Sequence, residues 1–418
     1  MPALFYSDRE SRATRPPANA VVLNSIGPMN IGIYIQVPFC QTKCTYCNFH
    51  TGVFSSSLYG PYVDAVVREI TEHDSLYYLA GVASETCRCA AKLVVDTVYI
   101  GGGTPSLLDP SALTRMVSAI QGSFACALRE VTLEADPETI TLQKAEAWRD
   151  AGIYRISMGT QSFNDQELAA AGRLHRRADI YAADKALRAA GIHNISCDLI
   201  AGLPHQTEES WRQTLDELSE LHPEHISIYM LEIDEGSRLG RESLAGGNRY
   251  SASSIPADDV IADSYEFARE LLASAGYDHY EISNWGKPGF HSRHNMKYWQ
   301  RQPYFGIGAG AHSFDGAMRW ANAHEPAAYT SSLASGRLPI EQKEILSKQQ
   351  SLDEELFLGL RLLDGIDLNQ LELRYNARLR GRVDELVHQG LLEISGTNLK
   401  LSPARIAISN EVFVGLLA

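Results

Sequence analysis

The chain of 418 residues has no stretch that approaches the ~18 consecutive apolar residues of a membrane helix, which excludes an integral helical membrane protein. It is short of positive charge: 37 Lys and Arg stand against 51 Asp and Glu, for a net charge of −14. Such a chain repels nucleic acid unless basic residues gather in one patch, and the densest basic run, Arg173 to Arg177, is too short to form one. The first 28 residues lack the charged start, apolar run and cleavage site of a secretory signal, so a polar leader on a cytoplasmic protein is expected over 1–29. Cysteine is scarce and odd in number, seven in all, which argues against a disulfide framework. No Gly-Lys-Ser/Thr follows any glycine run, so a phosphate loop is excluded as well.

What is present is an alternation. Short β-branched runs at Ile31–Val37, Leu93–Ile100, Glu130–Glu134, Tyr154–Gly159, Asn194–Ile200 and Glu224–Leu231 read as strands. Between them Tyr62–Leu79, Pro110–Gln121, Gln143–Ala151, Asp179–Ala190 and Glu208–Leu221 repeat apolar residues at three and four, the helical spacing. Six strand-helix units in series make an α/β fold, a partial (β/α)6 TIM-like barrel over 30–235. After each strand comes something special: a cysteine cluster, then Gly101-Gly102-Gly103-Thr104-Pro105, then Glu134-Ala-Asp136, then Gln161-Ser-Phe, while Asp198 ends the fifth. Polar residues at the carboxyl ends of parallel strands converge on one rim, where barrels build their sites.

The remainder divides in two. Residues 236–345 are expected as a linking region, with a loop over 236–258, a helix near Ala257–Ala275 and a histidine-rich, aromatic stretch. Within it, Gly306-Ile-Gly308-Ala-Gly310-Ala-His312 imitates a dinucleotide fingerprint, but no helix pattern follows and close backbone packing is expected instead. Residues 346–418 show three short helical patterns and a hairpin around Ser395-Gly-Thr-Asn398, a small winged-helix-like α+β domain. Asp384 and Glu385 on its third helix argue against insertion into a DNA groove.

The cysteines are unevenly placed. Cys40, Cys44 and Cys47 fall within eight residues, whereas Cys87, Cys89, Cys126 and Cys197 are scattered, the last two being expected as buried small hydrophobes. A structural zinc site takes four ligands, commonly from paired Cys-x-x-Cys units, and no second pair stands near Cys44 and Cys47. Three thiolates suit an iron-sulfur cluster with one iron left open.

At this point the residues resemble a known family. The C-x3-C-x2-C spacing, the aromatic Tyr46 and the Gly-Gly-Gly-Thr-Pro turn are similar to the radical S-adenosylmethionine (SAM) superfamily. The stretches Tyr34-Ile-Gln-Val-Pro-Phe-Cys40, Gln161-Ser-Phe-Asn164, Gly172-Arg173-Leu-His175, Asp198-Leu-Ile-Ala-Gly-Leu-Pro204 and Tyr280-Glu-Ile-Ser-Asn284 resemble the oxygen-independent coproporphyrinogen III oxidase group. Two features are similar to its heme chaperone branch, HemW: Phe49 stands where the decarboxylases carry a further cysteine, and His294-Asn295-Met-Lys-Tyr298-Trp299 fits an H-N-x-x-Y-W motif.

The resemblance implies a [4Fe-4S] cluster on Cys40, Cys44 and Cys47, with SAM on its open iron. It further implies SAM contacts from Tyr34, Tyr46, Gly102, Gly103, Thr104, Glu134, Gln161, Arg173 and Asp198, and heme ligation by His294. The implied activity is heme delivery to an apo-cytochrome or respiratory enzyme, in the cytoplasm or at the inner face of the membrane, with no nucleic-acid partner. Two alternatives remain at this stage: oxidative decarboxylation of coproporphyrinogen III, against which Phe49 counts, and an iron-sulfur scaffold that uses its tail domain to interact.

Overall fold

A computed structural model describes residues 29–74 and 93–417. The expected leader up to residue 28, the end of the helix expected at Tyr62–Leu79, and Cys87 and Cys89 lie outside the described residues. Six parallel strands follow one another in sequence and in space: β1 (Met29–Val37), β2 (Leu93–Gly102), β3 (Ala125–Ala135), β4 (Arg155–Gln161), β5 (Asn194–Ala201) and β6 (His225–Met230). Side chains alternate along them, apart from register shifts at Ile31/Gly32, Val95/Thr97 and Met158/Gln161. Ile31, Ile33, Ile35 and Val37 of β1, Val131 and Leu133 of β3, and Ile226 and Ile228 of β6 face the helices and are buried. The residues between them face the opposite side, because successive side chains of a strand point to opposite faces.

The helices form where capping and spacing agree. Thr207 opens the helix Glu208–Leu221 by accepting from the Ser210 amide at 3.1 Å, and Trp211, Leu215, Leu218 and Leu221 then line one buried stripe. It ends at His222, in the left-handed conformation (φ 49°). Each buried side chain of this size contributes roughly 1.5–3 kcal/mol relative to exposure, and the Trp211 indole N–H is satisfied by the Ser264 carbonyl at 2.8 Å.

The stretch 236–345, expected as a linking region, instead completes the sheet at both edges. Strands β7 (Asp278–Glu281) and β8 (Asn284–Gly286) extend it beyond β6, with β8 antiparallel to β6. Strand β9 (Tyr304–Ile307) runs parallel to β1, and β10 (His312–Phe314), β11 (Met318–Asn322) and β12 (Ile340–Ile345) continue antiparallel from it. The order β12-β11-β10-β9-β1-β2-β3-β4-β5-β6-β8-β7 leaves β1 and β6 unpaired with each other, so the barrel stays open. The expected loop over 236–258 contains the helix Arg238–Leu244, capped by the Ser237 side chain on the Gly240 amide. The glycine-rich run at 306–312 packs backbone on backbone: a Cβ at Gly308 (φ +103°) would lie 2.6 Å from the Gln36 carbonyl oxygen.

One correction concerns cysteine. Strand β3 begins at Ala125, five residues earlier than expected, and Cys126 is exposed at its start rather than buried in a helix. Cys197, on β5, is buried. The tail packs the helices Lys348–Gly359, Leu368–Tyr375 and Arg380–His388 against a sheet of β13 (Ile366–Asp367), β14 (Leu392–Ser395) and β15 (Asn398–Leu401), a winged-helix-like α+β arrangement. Among the described residues, no helix is long and apolar enough to cross a membrane.

Candidate functional site

Strand β1 ends in a loop that folds back on itself. The Cys40 amide donates to the Gly52 carbonyl at 2.9 Å and the Gly52 amide to the Pro38 carbonyl at 2.9 Å, closing the loop at its base. Phe39 anchors it, stacked on Tyr59 at 4.2 Å and edge-on to Tyr62 at 5.0 Å. On the far side the Thr45 amide donates to the Ala171 carbonyl at 3.0 Å and the Leu239 amide to the Thr45 carbonyl at 2.8 Å. Cys40, Cys44 and Cys47 thus sit half-buried on a loop held from three directions.

Their surroundings fit a cluster. Burial pushes the Cys40 thiol up to about 11, helped by the neighbouring Cys47 and Cys44 sulfurs, and burial likewise raises Cys47. Mutually close thiols that resist ionisation need cations to hold them as thiolates together. Arg173 supplies one such charge, its Nη1 3.4 Å from the Cys44 sulfur. Among the described residues, no three His, Cys, Asp or Glu side chains are grouped to hold a single metal ion. A four-iron cubane gives each thiolate its own iron, so its ligands need not meet at one point.

The glycine turn after β2 lies against this loop. The Gly103 amide donates to the Val37 carbonyl at 2.8 Å and the Thr104 amide to the Phe39 carbonyl at 2.7 Å. A Cβ at Gly103 would lie 2.5 Å from the Phe39 carbonyl oxygen and 3.0 Å from the Cys40 sulfur, so only glycine fits there. Gly102, at φ +113°, donates its amide to Glu134 Oε2 at 2.8 Å, while the Tyr99 hydroxyl donates to Glu134 Oε1 at 2.9 Å. Desolvation lifts the Glu134 carboxyl to about 7, opposed by those two hydrogen bonds. Tyr34 stacks on Tyr99 with ring centres 6.0 Å apart and donates its hydroxyl to Gln36 at 2.7 Å.

The other expected residues continue round the rim. Thr104 donates to Asp136 at 3.1 Å, and Arg173 pairs with the other oxygen of that carboxylate while donating to the Gly159 carbonyl at 3.1 Å. Gln161 ends β4 at φ +63°, a left-handed backbone that costs a non-glycine residue on the order of 1–3 kcal/mol. Asp198 accepts from Ser157 at 2.8 Å and Ser196 at 3.1 Å. Tyr46 packs on Ile200, Leu203 and Ala171. Gly103, Thr104 and Arg173 therefore touch the cysteine loop or its base directly, Glu134 is tied to the glycine turn through Gly102, and Asp198 is held by Ser157 and Ser196 on neighbouring strands.

His294, expected as a heme ligand, lies in the interior of the protein. It is fully buried, its Nδ1 2.9 Å from the Thr97 hydroxyl and its Nε2 2.9 Å from the Tyr298 hydroxyl. Burial, then the Lys297 and Arg155 charges, lowers it to about 3. Both ring nitrogens are thus engaged and no edge of the ring is exposed. The helix Arg293–Trp299 that carries it is seated by Glu130, which accepts from the Arg293 and His294 amides at 2.9 Å each.

Sequence reading also missed an interior network. Ser196 joins Asp198 to His225 Nδ1 (2.8 Å), and His225 Nε2 meets the Tyr280 hydroxyl at 2.7 Å. Among the described residues, buried Arg155 has Nε and Nη1 without a hydrogen-bond partner. The available signal was the polar residue at every second strand position: Thr97 and Tyr99, Glu130 and Thr132, Arg155 and Ser157, Ser196 and Asp198.

Residues 34–218 match the Radical SAM superfamily and 346–405 the HemN C-terminal domain. The chain is 32% identical over 385 residues to the heme chaperone HemW of Lactococcus lactis, covering 91% of this chain and 95% of that one. It is 33% identical to the heme chaperone HemW of Mycobacterium tuberculosis, covering 95% and 98%. Among solved structures, the coproporphyrinogen III oxidase HemN of Escherichia coli, a radical SAM enzyme, superposes with a TM-score of 0.76 at 20% identity over 94% of this chain and 91% of that chain, which establishes the shared fold. With a three-thiol loop on a glycine turn, a radical SAM domain, a HemN-type tail and full-length relatives of this similarity, the chain belongs to the HemW family.

Proposed function

We propose that this protein is a heme chaperone that binds a [4Fe-4S] cluster and SAM and passes heme to an apo-cytochrome or a respiratory enzyme, in the cytoplasm or at the inner face of the membrane. The observation that carries this reading is the cysteine loop itself: three thiols seated on a glycine turn, with Phe49 exposed where a further thiol would extend the set. Cys40, Cys44 and Cys47 would hold the cluster, and Arg173 beside Cys44 would offset the charge of the thiolates. When bound, a cluster with an open iron supplies a chelation point for SAM and a low-potential electron.

The chain's own groups would do the positioning. Gly102 and Gly103 let the backbone approach a ligand closely. Glu134, held between Tyr99 and Gly102, is poised as an acceptor for an ammonium group, and Asp198 as an acceptor for hydroxyls. The Arg173–Asp136 pair, largely shielded from water, keeps the rim rigid.

The test is anaerobic reconstitution of the full chain. Replacing Cys40, Cys44 or Cys47 by serine abolishes the visible iron-sulfur absorbance, while Cys126→Ala retains it. Hemin binds with an altered Soret band and moves to an apo-cytochrome. Reduced protein with SAM and coproporphyrinogen III forms no protoporphyrinogen above background; robust turnover would replace the chaperone reading with decarboxylation.

A further inference from the structure

The cysteine loop carries a second group that the cluster does not use. Immediately after Cys47, the Thr51 amide donates to the Phe49 carbonyl at 2.8 Å, a three-residue turn with His50 at its tip. His50 is exposed, and the apolar side chains beside it are exposed too, Phe49 by 51% and Val53 by 63%. The His50 ring packs 4.2 Å from that of His324, on the segment after β11, and His324 Nδ1 is buried with no hydrogen-bond partner among the described residues. Gly310 (φ +70°) lies against both; a Cβ there would sit 3.2 Å from His324 Nδ1 and 3.9 Å from the Cβ of His50.

These features specify a ligand class. The described histidines and acids do not group to hold a bare metal ion, so a simple metal site is not what the pair builds. A heme iron needs only one imidazole from a given face, while its porphyrin plane needs apolar surface and its propionates a cation. His50 offers the imidazole, Phe49 and Val53 the apolar surface, and Lys43, on the same loop, the cation. His294, by contrast, has neither an exposed edge nor an open nitrogen.

We infer that His50 is the axial ligand through which this protein holds its heme cargo, with His324 backing the ring and Phe49 and Val53 lying against the porphyrin. The step is ligand exchange: a His50 nitrogen binds ferric iron as a water leaves it, with no change in oxidation state. A rim site that wraps one edge of the porphyrin suits a cargo that must be released. The inference rests on the chaperone reading and can fail separately from it.

Full-length protein, reconstituted anaerobically, is titrated with hemin and followed by its Soret band and electron paramagnetic resonance. His50→Ala loses the histidine-ligated signature and binds about tenfold more weakly or worse, and free imidazole added to His50→Gly restores the signature. His324→Ala gives a smaller loss, and His294→Ala retains the signature while melting at lower temperature. An unchanged Soret band and affinity in His50→Ala, or no rescue of His50→Gly by imidazole, overturns the assignment and leaves the chaperone reading standing. If the unmodified protein binds no hemin, the chaperone reading itself falls.

Discussion

The two faces of strands β1–β6 bury different chemistry. Toward the helices lie Ile33, Ile35, Val98, Leu133, Ile156, Leu199 and Ile228, all within the hydrophobic core. Toward the barrel interior, from the same strands, lie Tyr34, Thr97, Glu130, Arg155, Ser196 and His225. The outer face is held by loss of water from apolar surface, which needs packing but no particular partners. On the inner face polar atoms find one another in the chains Thr97–His294–Tyr298 and Asp198–Ser196–His225–Tyr280, while Arg155 keeps two nitrogens without a hydrogen-bond partner among the described residues. A barrel filled with Ile and Val would be a scaffold alone; this one keeps polar groups where a ligand enters.

The largest expected effect tests that division directly. Ile33→Ala, on the outer face, should cost roughly 2–5 kcal/mol in urea unfolding, whereas Ser196→Ala, on the inner face, should cost about 1–3 kcal/mol by leaving a His225 nitrogen unpaired; a larger loss for Ser196→Ala than for Ile33→Ala would break the comparison. Next is Thr97→Val, which preserves shape but leaves a His294 nitrogen unpaired; a loss of about 1–3 kcal/mol is expected, and a neutral result would remove the hydrogen bond from the account.

A pH-dependent effect sharpens the comparison at its exception. Glu69, on the helix Tyr59–Thr71, is a fully buried carboxyl in the outer layer, bonded to Tyr329, Asn322 and the Gly308 amide. Burial raises it to about 7, against the ordinary value of 4.5. The folded state therefore holds its proton more tightly than the unfolded chain does. Its contribution to stability is intact below about pH 4.5 and is lost as pH rises through about 7. Glu69→Gln should remove this slope, so melting temperatures of variant and parent should diverge in the variant's favour across that window; parallel curves would contradict the assigned pH dependence.

Much of the fold is legible in the sequence, for identifiable reasons. Strands β1 to β6 announce themselves because each is long enough to show its apolar run and each is followed by an amphipathic helix. Strands β7 to β11, three to five residues each, are too short to carry a period, and two of them join the sheet through strands far away in the chain: β9 with β1, β8 with β6. The strands of the linking region are therefore not legible in the sequence, whereas its helix, expected near Ala257–Ala275, is observed over Asp258–Ser274. Cys126 was misplaced because the first residues of β3 are exposed and show no strand alternation.

By itself the sequence determined the cysteine triad, the glycine turn and the acid at the end of β3, because ligand spacing and strand-end position are local properties of the chain. Only the tertiary structure decided the fate of the histidines. His294 meets Thr97 across 197 residues of chain and is sealed inside, whereas His50 is brought beside His324 at the open rim. Whether an imidazole is a brace or a ligand depends on what surrounds its two nitrogens, and that is settled by contacts between distant segments.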